Sequence, residues 1–373
     1  MEAAAAPATR KPPADGFVSS YPDTFFDAIL LVAFGGPEGP DDVMPFLRNV
    51  TRGRDVPPER LENVARHYQR FGGVSPINRQ NRALIAALRA ELNAQDIELP
   101  IYFGNRNWHP LLSEALAEMA ADGIERALAF LTSPYSSYSS CRQYREDVYE
   151  AQIAVGPAAP EVLKTRAFFN HPGFIEANVD CVRHALQQVP PERQAAVRLL
   201  FTAHSIPTAM AGRSPYAAQL AEAARLVAAG VGSSELALVY QSRSGRQDVP
   251  WLEPDILDSL RAIHADGAED VVVSPIGFLS DHMEVMYDLD IAAGELATGL
   301  GLNMIRAATV GTHPAFVSMV RELIQERLTP SRPRRALGEL GPGHDVCPVS
   351  CCLPGSSGRP SPWNDATERE PTP

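Results

Sequence analysis

Residues 26–33 read FDAILLVA, and the turn FGGP follows them at 34–37. An apolar run of strand length that ends in Gly and Pro is typical of a strand buried on both faces of a parallel sheet. Comparable runs occur at 126–132 (RALAFLT), 196–203 (AVRLLFTA) and 269–275 (EDVVVSP). We therefore predict four buried strands, each of which leads into a loop containing Gly, Ser or Pro.

Amphipathic helical patterns separate these runs, for example at 79–92 (RQNRALIAALRAEL) and at 216–229. Strands that alternate with helices predict an α/β fold with doubly wound parallel sheets. The 373 residues are enough for two such Rossmann-like lobes. In these sheets ligands bind beyond the carboxyl ends of the strands. Because none of the four ends carries GxGxxG, the pattern argues against a dinucleotide ligand.

The order of these patterns predicts the domain organisation. We predict a disordered leader at 1–25, a first lobe at 26–165, a second lobe at 166–308, a C-terminal helix at 309–328 and a Pro/Gly-rich tail at 329–373. Within the tail, 329–335 (TPSRPRR) reads as a linker, and 355–373 reads as disordered.

Composition and charge exclude several classes of protein. The chain has 33 Lys and Arg against 45 Asp and Glu, a net charge of −12, and it lacks the basic stripe of a nucleic-acid-binding protein. It has no apolar stretch of about 18 residues, as a membrane helix needs, and its N-terminus lacks the apolar core of a secretory signal. We predict a cytoplasmic protein without an integral membrane segment.

His204 directly follows a predicted strand, in FTAHSIP. An imidazole there can act as a base near neutral pH or bind a metal, or it can simply cap the strand by bonding a loop. In SDHMEVMYDLD, Asp281, Glu284 and Asp288 fall on one face of a predicted helix, for which Ser280 or Asp281 is the expected cap. Such like charges cost roughly 0.2–0.5 kcal/mol per pair. These carboxylates form either a path for cations and protons or a solvated acidic face. The helical pattern alone favours the solvated face.

Two further segments offer polar groups to a ligand. Residues 51–78 can hold carboxylates by charge-assisted bonds, or their arginines are surface charges. Residues 133–147 (SPYSSYSSCRQYRED) suit a flat ligand with polar edges, or form an ordinary Ser-rich loop. The residues concerned are Arg52, Arg54, Arg66, Arg70, Tyr68, Ser75, Tyr135, Tyr138 and Tyr144.

The cysteines make the sharpest isolated motif. Three cysteines lie within six residues: Cys347, Cys351 and Cys352. Thiolates so close together are metal ligands or are prone to oxidation, or the cysteines occur by chance in a disordered tail. A four-thiolate site needs one distant partner. Cys141, in a polar loop, is better placed for that role than Cys181, which lies in a helical pattern and reads as core.

Five segments, taken together and in this order, resemble the ferrochelatase family, above all bacterial members that act on coproporphyrin III. The segments are LVAFGGPEGPDDVMPFLRNVTRGR, HYQRFGGVSPIN, FTAHSIP, YQSRSGRQDVPWLEPD and SPIGFLSDHMEVMYDLD. The resemblance covers roughly residues 26–328. It implies two Rossmann-like lobes with the porphyrin in the cleft between them, and a last helix that returns to the first lobe. The implied reaction is insertion of Fe2+ into coproporphyrin III to give coproheme in heme synthesis.

The resemblance also implies roles for individual residues. His204 and Glu284 match the pair assigned to iron binding and pyrrole deprotonation, with His204 as our candidate proton acceptor. The matching porphyrin-contact positions are Ser75, Tyr68 and Tyr144, the position near the propionates is Arg52, and the acidic position one turn beyond the glutamate is Asp288. The tail resembles members with a [2Fe–2S] cluster, whose ligands would here be Cys141, Cys347, Cys351 and Cys352.

Three positions depart from some relatives. Phe34 stands where some have a Tyr that can ligate iron, Ala292 where some have an acid that continues the carboxylate line, and Asn107 where some have a histidine of an accessory metal site. These departures argue against an axial ligand at 34, a proton conduit beyond Asp288 and a second site at 107.

Four alternatives stay open at this point. The substrate can be protoporphyrin IX, or the metal cobalt. The protein can be a non-catalytic heme-binding or porphyrin-binding protein, or an iron–sulfur redox sensor. A chelatase of this kind would also need a downstream enzyme that uses coproheme.

Overall fold

The computed structural model describes residues 24–53, 56–244, 248–348 and 350–355. Most of the predicted leader, Arg54 and the predicted disordered end after residue 355 lie outside these residues. No helix within the described ranges is long and apolar enough to cross a membrane.

The described chain forms two parallel sheets of four strands each. In order of sequence the strands are β1 (Ala28–Ala33), β2 (Ile101–Asn105), β3 (Arg126–Leu131), β4 (Glu161–Lys164), β5 (Arg198–His204), β6 (Leu236–Gln241), β7 (Asp270–Ser274) and β8 (Asn303–Arg306). The strand orders are β2-β1-β3-β4 and β6-β5-β7-β8, so the two sheets share one topology. In each sheet the order reverses beside the first strand, where α/β proteins bind ligands.

Helices connect the strands. The α-helices of the described residues are α1 (Val43–Val50), α2 (Pro58–Gln69), α3 (Ile77–Asn93), α4 (Leu112–Ala121), α5 (Gln143–Val155), α6 (Pro172–Leu186), α7 (Thr208–Ala211), α8 (Tyr216–Gly230), α9 (Ile256–Ala265), α10 (Met283–Val285), α11 (Gly294–Leu300) and α12 (Pro314–Leu328). Two segments, Tyr138–Arg142 and Met286–Ala293, are π-helical.

The four apolar runs of the sequence are the inner strands β1, β3, β5 and β7. Every residue of β1 is buried because β2 and β3 pair with it on both sides and helices cover both faces. The strands that the apolar runs did not predict lie at the outer positions of the sheets. The outer strands β4 and β8 are only half-buried, and β6 begins exposed, so their sequences lack a continuous apolar run.

One apolar core joins the two lobes. It contains Leu88 of α3, Phe174 of α6, Leu220 of α8 and Phe316 of α12. Helix α12 packs against α3, which follows the first strand, and against α6. The boundaries predicted at 165/166 and 308/309 stay predictions, because this core runs through both lobes.

The segment that follows the predicted linker lies along the body. The buried amide of Asn170 donates hydrogen bonds to the carbonyls of Leu337 and Gly341, at 2.9 and 2.8 Å. The carboxylate of Glu222 accepts from the backbone N–H groups of Glu339 and Leu340. The described residues of this segment form no helix or strand, and side chains of the body bond several of its backbone groups.

Candidate active site and thiol cluster

His204 is the last residue of β5, at the point where the order of the second sheet reverses. Neighbouring groups hold its backbone. The hydroxyl of Tyr216 donates to the His204 carbonyl at 3.0 Å, and the next N–H, that of Ser205, donates to the carbonyl of Gln241 at 2.8 Å. The strand therefore delivers the imidazole to the carboxyl edge of the sheet in a defined place.

His204 and Glu284 form an ion pair. Nε2 of His204 lies 3.4 Å from Oε1 of Glu284, and Nδ1 bonds the carbonyl of Ser205. The side chains are 31% and 44% exposed, so solutes can reach both. Burial alone would lower the pKa of His204, but the charge and hydrogen bond of Glu284 outweigh it and raise that pKa to about 9. In return, against the effect of burial, the imidazolium lowers the pKa of Glu284 to about 2.

The predicted cap and acidic face on the glutamate's helix are wrong. His282 caps α10 through its Nδ1, which accepts the Glu284 N–H at 3.2 Å. Asp281 precedes α10 and pairs with Arg306 at 3.1 Å. After the single turn of α10 the chain is π-helical, which changes the angular spacing of its side chains. Asp281, Glu284 and Asp288 therefore do not form a regular line of carboxylates along one face of a helix.

Asp288 is the second acid near the pair. The hydroxyl of Ser242, just after β6, donates to Oδ2 of Asp288. Burial raises the pKa of Asp288 to about 6, and the charge of Glu284 adds to that rise against the bond from Ser242. Three groups with separated pKa values, an imidazolium, a carboxylate of lowered pKa and a carboxyl group of raised pKa, thus stand together at one sheet edge.

The first lobe supplies the opposite wall. Tyr68 of α2 packs with Met283, the neighbour of Glu284, in one apolar cluster. Burial and the charge of Glu284 raise the pKa of Tyr68 well above its usual range. The rings of His67 and Tyr287 stack at 3.5 Å between the lobes. The structure therefore brings Tyr68 to the pair.

The end of β1 forms the rest of this wall. Phe34 is 36% exposed and packs edge-on against Phe46 at 6.3 Å, while the amide of Asn107 donates to the Phe34 carbonyl. Ser75 is buried, and a Cβ at Gly36 would lie 2.7 Å from its Cβ. Glycine at 36 is thus required for Ser75 to pack under the strand end.

Two predicted contact residues lie elsewhere. Tyr144 is buried in the first lobe among residues such as Val32, with the guanidinium of Arg106 at 4.3 Å from its ring centre. Arg52 is exposed and bonds the side chain of Asn49. Contact with a porphyrin by either residue stays a prediction.

The thiols of the tail meet Cys141. Cys141 lies on the π-helical segment Tyr138–Arg142, and its thiol shares a hydrogen bond with that of Cys347. Cys347 also bonds Cys351, whose sulfur lies 3.6 Å from that of Cys352. The side chain of Arg142 fixes the loop by donating to the Cys351 carbonyl at 3.1 Å. Cys181 is distant, with its sulfur 3.9 Å from the Thr309 carbonyl.

The surroundings of these thiols suit an anionic metal centre. Hydrogen bonds from Cys141 and Cys351 lower the pKa of Cys347 well below its usual range, and the charges of Lys164 and Arg145 lower it further. Four sulfur atoms in a continuous chain, one from the body and three from the tail, fit a [2Fe–2S] cluster with four thiolate ligands. The four thiols are therefore the kind of donor set that such a cluster requires.

Sequence reasoning missed three residues of the pair's surroundings. His282 caps the helix of Glu284, Ser242 bonds Asp288, and the amide of Gln241 donates to the Glu284 carbonyl at 2.8 Å. Their segments were quoted as motifs, and His282 lies only two residues from Glu284. Gln241 and Ser242, however, lie 43 and 46 residues from the acids that they bond, and no rule of spacing joins such positions. The one local signal is Ser242 itself, whose φ of 62° is uncommon for a residue other than Gly.

Comparisons with known proteins agree with this architecture. A family model described as Ferrochelatase matches residues 26–328. A ferrochelatase of Rhodopirellula baltica is 54% identical over 342 residues, which are 90% of this chain and 97% of the relative. A coproporphyrin III ferrochelatase of Nocardia farcinica is 52% identical over 88% and 97% of the two chains. The solved structure of SirB from Bacillus subtilis with Fe3+ has a TM-score of 0.52 at 12% identity, over 82% of this chain and 97% of that chain.

Two parallel α/β lobes with an imidazole–carboxylate pair at a strand end define a doubly wound α/β protein with a candidate metal site, and the likeness to SirB supports the fold. The family model and the relatives above half identity go further: the chain belongs to the ferrochelatase family. It is thus an enzyme, a lyase of the metal-chelatase type. The predicted family and the two-lobed α/β fold are confirmed.

Proposed function

We propose that this enzyme inserts Fe2+ into coproporphyrin III and releases coproheme. The observation that carries the proposal is the His204–Glu284 pair, with 3.4 Å between Nε2 and Oε1 at the carboxyl edge of the second sheet and Tyr68 of the first lobe beside it. A nitrogen and a carboxylate donor suit a borderline cation that must later leave for the ring. The substrate is supported by relatives named coproporphyrin III ferrochelatase.

Insertion exchanges one dication for the two N–H protons of the porphyrin. Because the pKa of His204 is raised to about 9, its Nε2 holds a proton at neutral pH. An arriving Fe2+ competes for that nitrogen, and the expelled proton leaves through Glu284 or solvent. The imidazole is then neutral and can accept one pyrrole proton once the ion moves into the ring, while the second pyrrole proton leaves through Glu284 or solvent. Asp288, with a pKa raised to about 6, is our candidate for passing protons onward.

The charges near the cleft favour a substrate with many carboxylates. Arg66, His67 and Arg70 line an open depression of about 840 Å³ beside Tyr287, the neighbour of Asp288. Coproporphyrin carries four propionates and protoporphyrin two. Guanidinium groups bind carboxylates in well-defined geometry, so a cationic wall supports the more anionic macrocycle. Arg52 is a further candidate for a propionate.

The test is anaerobic insertion of Fe2+ into coproporphyrin III and, separately, protoporphyrin IX, followed by absorbance. A strong preference for coproporphyrin supports the proposal. A preference for protoporphyrin would keep the reaction and overturn the substrate. Tight binding of both without turnover would overturn the enzymatic role and leave a porphyrin-binding protein.

We also propose that Cys141, Cys347, Cys351 and Cys352 ligate a [2Fe–2S] cluster. When bound, the cluster would supply redox chemistry. Protein purified anaerobically should show cluster absorbance that Cys347→Ser abolishes and Cys181→Ser leaves intact. Full absorbance in the Cys347→Ser protein would refute the ligand set. The cytoplasmic location and a downstream coproheme-using enzyme stay predictions.

A further inference from the structure

A histidine shares the loop of the tail cysteines and has no part in the proposed cluster. Nε2 of His344 lies 3.7 Å from Sγ of Cys351. Together with Sγ of Cys347, these ligand atoms all lie within 4.8 Å of one another. His344 is exposed, so a metal ion can reach it from solvent. Three donors of metal-binding type therefore converge without any contribution from Cys141.

The distances match a tetrahedral zinc site. Zinc binds sulfur at about 2.3 Å and imidazole nitrogen at about 2.0–2.1 Å, which places neighbouring ligand atoms roughly 3.5–3.8 Å apart. The separation from His344 to Cys351 is 3.7 Å, and Cys347 lies within 4.8 Å of both. The fourth position of a tetrahedral ion would then be open to water. Mixed nitrogen and sulfur donors are characteristic of zinc, whereas the proposed cluster takes four thiolates.

We propose that His344, Cys347 and Cys351 form a mononuclear site for a thiophilic divalent cation such as Zn2+. All three donors lie within eight residues of the chain, so the tail alone supplies them. Two of them are also tail ligands of the proposed cluster. The chain therefore holds either the single ion or the cluster, and an ion bound first blocks assembly of the cluster.

Cobalt reports on this site directly. The full chain, reduced and stripped of metal without oxygen, is titrated with Co2+. One equivalent should give a thiolate-to-cobalt charge-transfer band in the near ultraviolet and the strong visible bands of tetrahedral cobalt, and Zn2+ should bleach both. The His204–Glu284 pair offers no thiolate, so cobalt bound there does not produce the charge-transfer band.

Matched variants separate the two sites. His344→Ala should weaken cobalt binding by more than about tenfold, since loss of an outer-shell partner alone costs that much, and it should retain cluster absorbance. Cys141→Ser should lose the cluster absorbance and leave cobalt binding unchanged. His264→Ala, at an exposed histidine of α9, is the control.

Unchanged cobalt affinity in His344→Ala, or no charge-transfer band in the unmodified chain, would overturn the zinc site. Loss of the cluster in His344→Ala with retention in Cys141→Ser would overturn it too, because the histidine would then belong to the cluster. A His344-dependent cobalt site in a chain that never forms a cluster would leave this inference standing and refute the cluster alone. Circular dichroism of each variant checks that it is folded.

Discussion

The cleft pair and the tail thiols are built in opposite ways. His204 stands at the end of an inner strand, and its partner Glu284 follows another strand of the same sheet, so backbone pairing sets their positions. The thiols depend on a segment without helix or strand that side chains hold against the body. The first site is open to solvent and offers a nitrogen and a carboxylate, whereas the second offers thiols. The two proposals therefore assign the substrate metal to donors from which it can leave, and a resident metal to donors that retain it.

The largest expected effect tests the cleft side of this comparison. Glu284→Gln removes the charge that raises the pKa of His204 and should lower the turnover of iron insertion about 10²- to 10⁴-fold, the range for a group in proton transfer. Cluster absorbance should not change. Glu176→Gln, at an exposed position of α6, is the matched control. Turnover within a factor of about three of the unmodified enzyme would contradict the role of the pair.

The next prediction tests how the tail is held. Arg166 is buried, forms two bonds with Glu326 of α12 at 2.7 and 2.9 Å, and donates to the carbonyl of Arg335 in the tail at 2.8 Å. Arg166→Met strands a buried carboxylate and should lower the free energy of unfolding by about 3–5 kcal/mol. Urea unfolding measures this loss.

The double variant Arg166→Met/Glu326→Met is its control. Because it removes both charges, it should recover most of the lost stability. Equal losses in the single and double variants would mean that packing, and not the buried charge, is responsible. In the single variant we expect the cluster to be lost sooner than cleft activity.

A third prediction concerns pH: acid should destabilise the region that holds the tail before it affects the cleft. Burial and the charges of Arg166 and Arg335 lower the pKa of His171 to about 3, although Oε2 of Glu322 lies 3.3 Å from its Nε2. With a pKa of about 6.5 once unfolded, this histidine takes up a proton on unfolding between these values, so stability falls as pH falls. The neutral imidazole caps α6 by accepting the Gly173 N–H.

His171→Asn keeps a capping acceptor and removes the titration. Between about pH 6 and pH 4, the unmodified protein should lose on the order of 1 kcal/mol more per pH unit than the variant. Urea midpoints across that range measure the difference. Parallel curves for the two proteins would refute the assignment of this acid sensitivity to His171.

The smallest expected effect concerns the wall opposite the pair. Phe34→Tyr adds a hydroxyl to a ring that is 36% exposed, so stability should change by less than about 0.5 kcal/mol. If position 34 faces the bound iron porphyrin, the phenolate can ligate the iron after air has oxidised the ferrous product to the ferric state, and so shift its visible spectrum. Phe25→Tyr, at another exposed ring, should leave the spectrum unchanged. No shift in the Phe34→Tyr protein would exclude position 34 from axial contact.

The sequence by itself determined the inner strands, the class of fold and the family. Apolar runs predict strands paired on both sides, because such strands must be apolar on both faces. It also singled out His204, Glu284 and the tail cysteines, since a polar residue at a strand end and thiols in a short loop are local patterns. It missed the half-buried outer strands, whose composition is set by solvent on one side.

Only the tertiary structure decided which groups meet. It placed Tyr68 beside Glu284, Ser242 against Asp288 and Cys141 against Cys347. It also replaced the expected acidic helix by one turn and a π-helix, and placed the segment after the expected linker along Asn170. The physical reason is that these contacts, and the pKa values that follow from them, depend on distances between residues far apart in the chain. Local pattern and spacing carry no information about such distances.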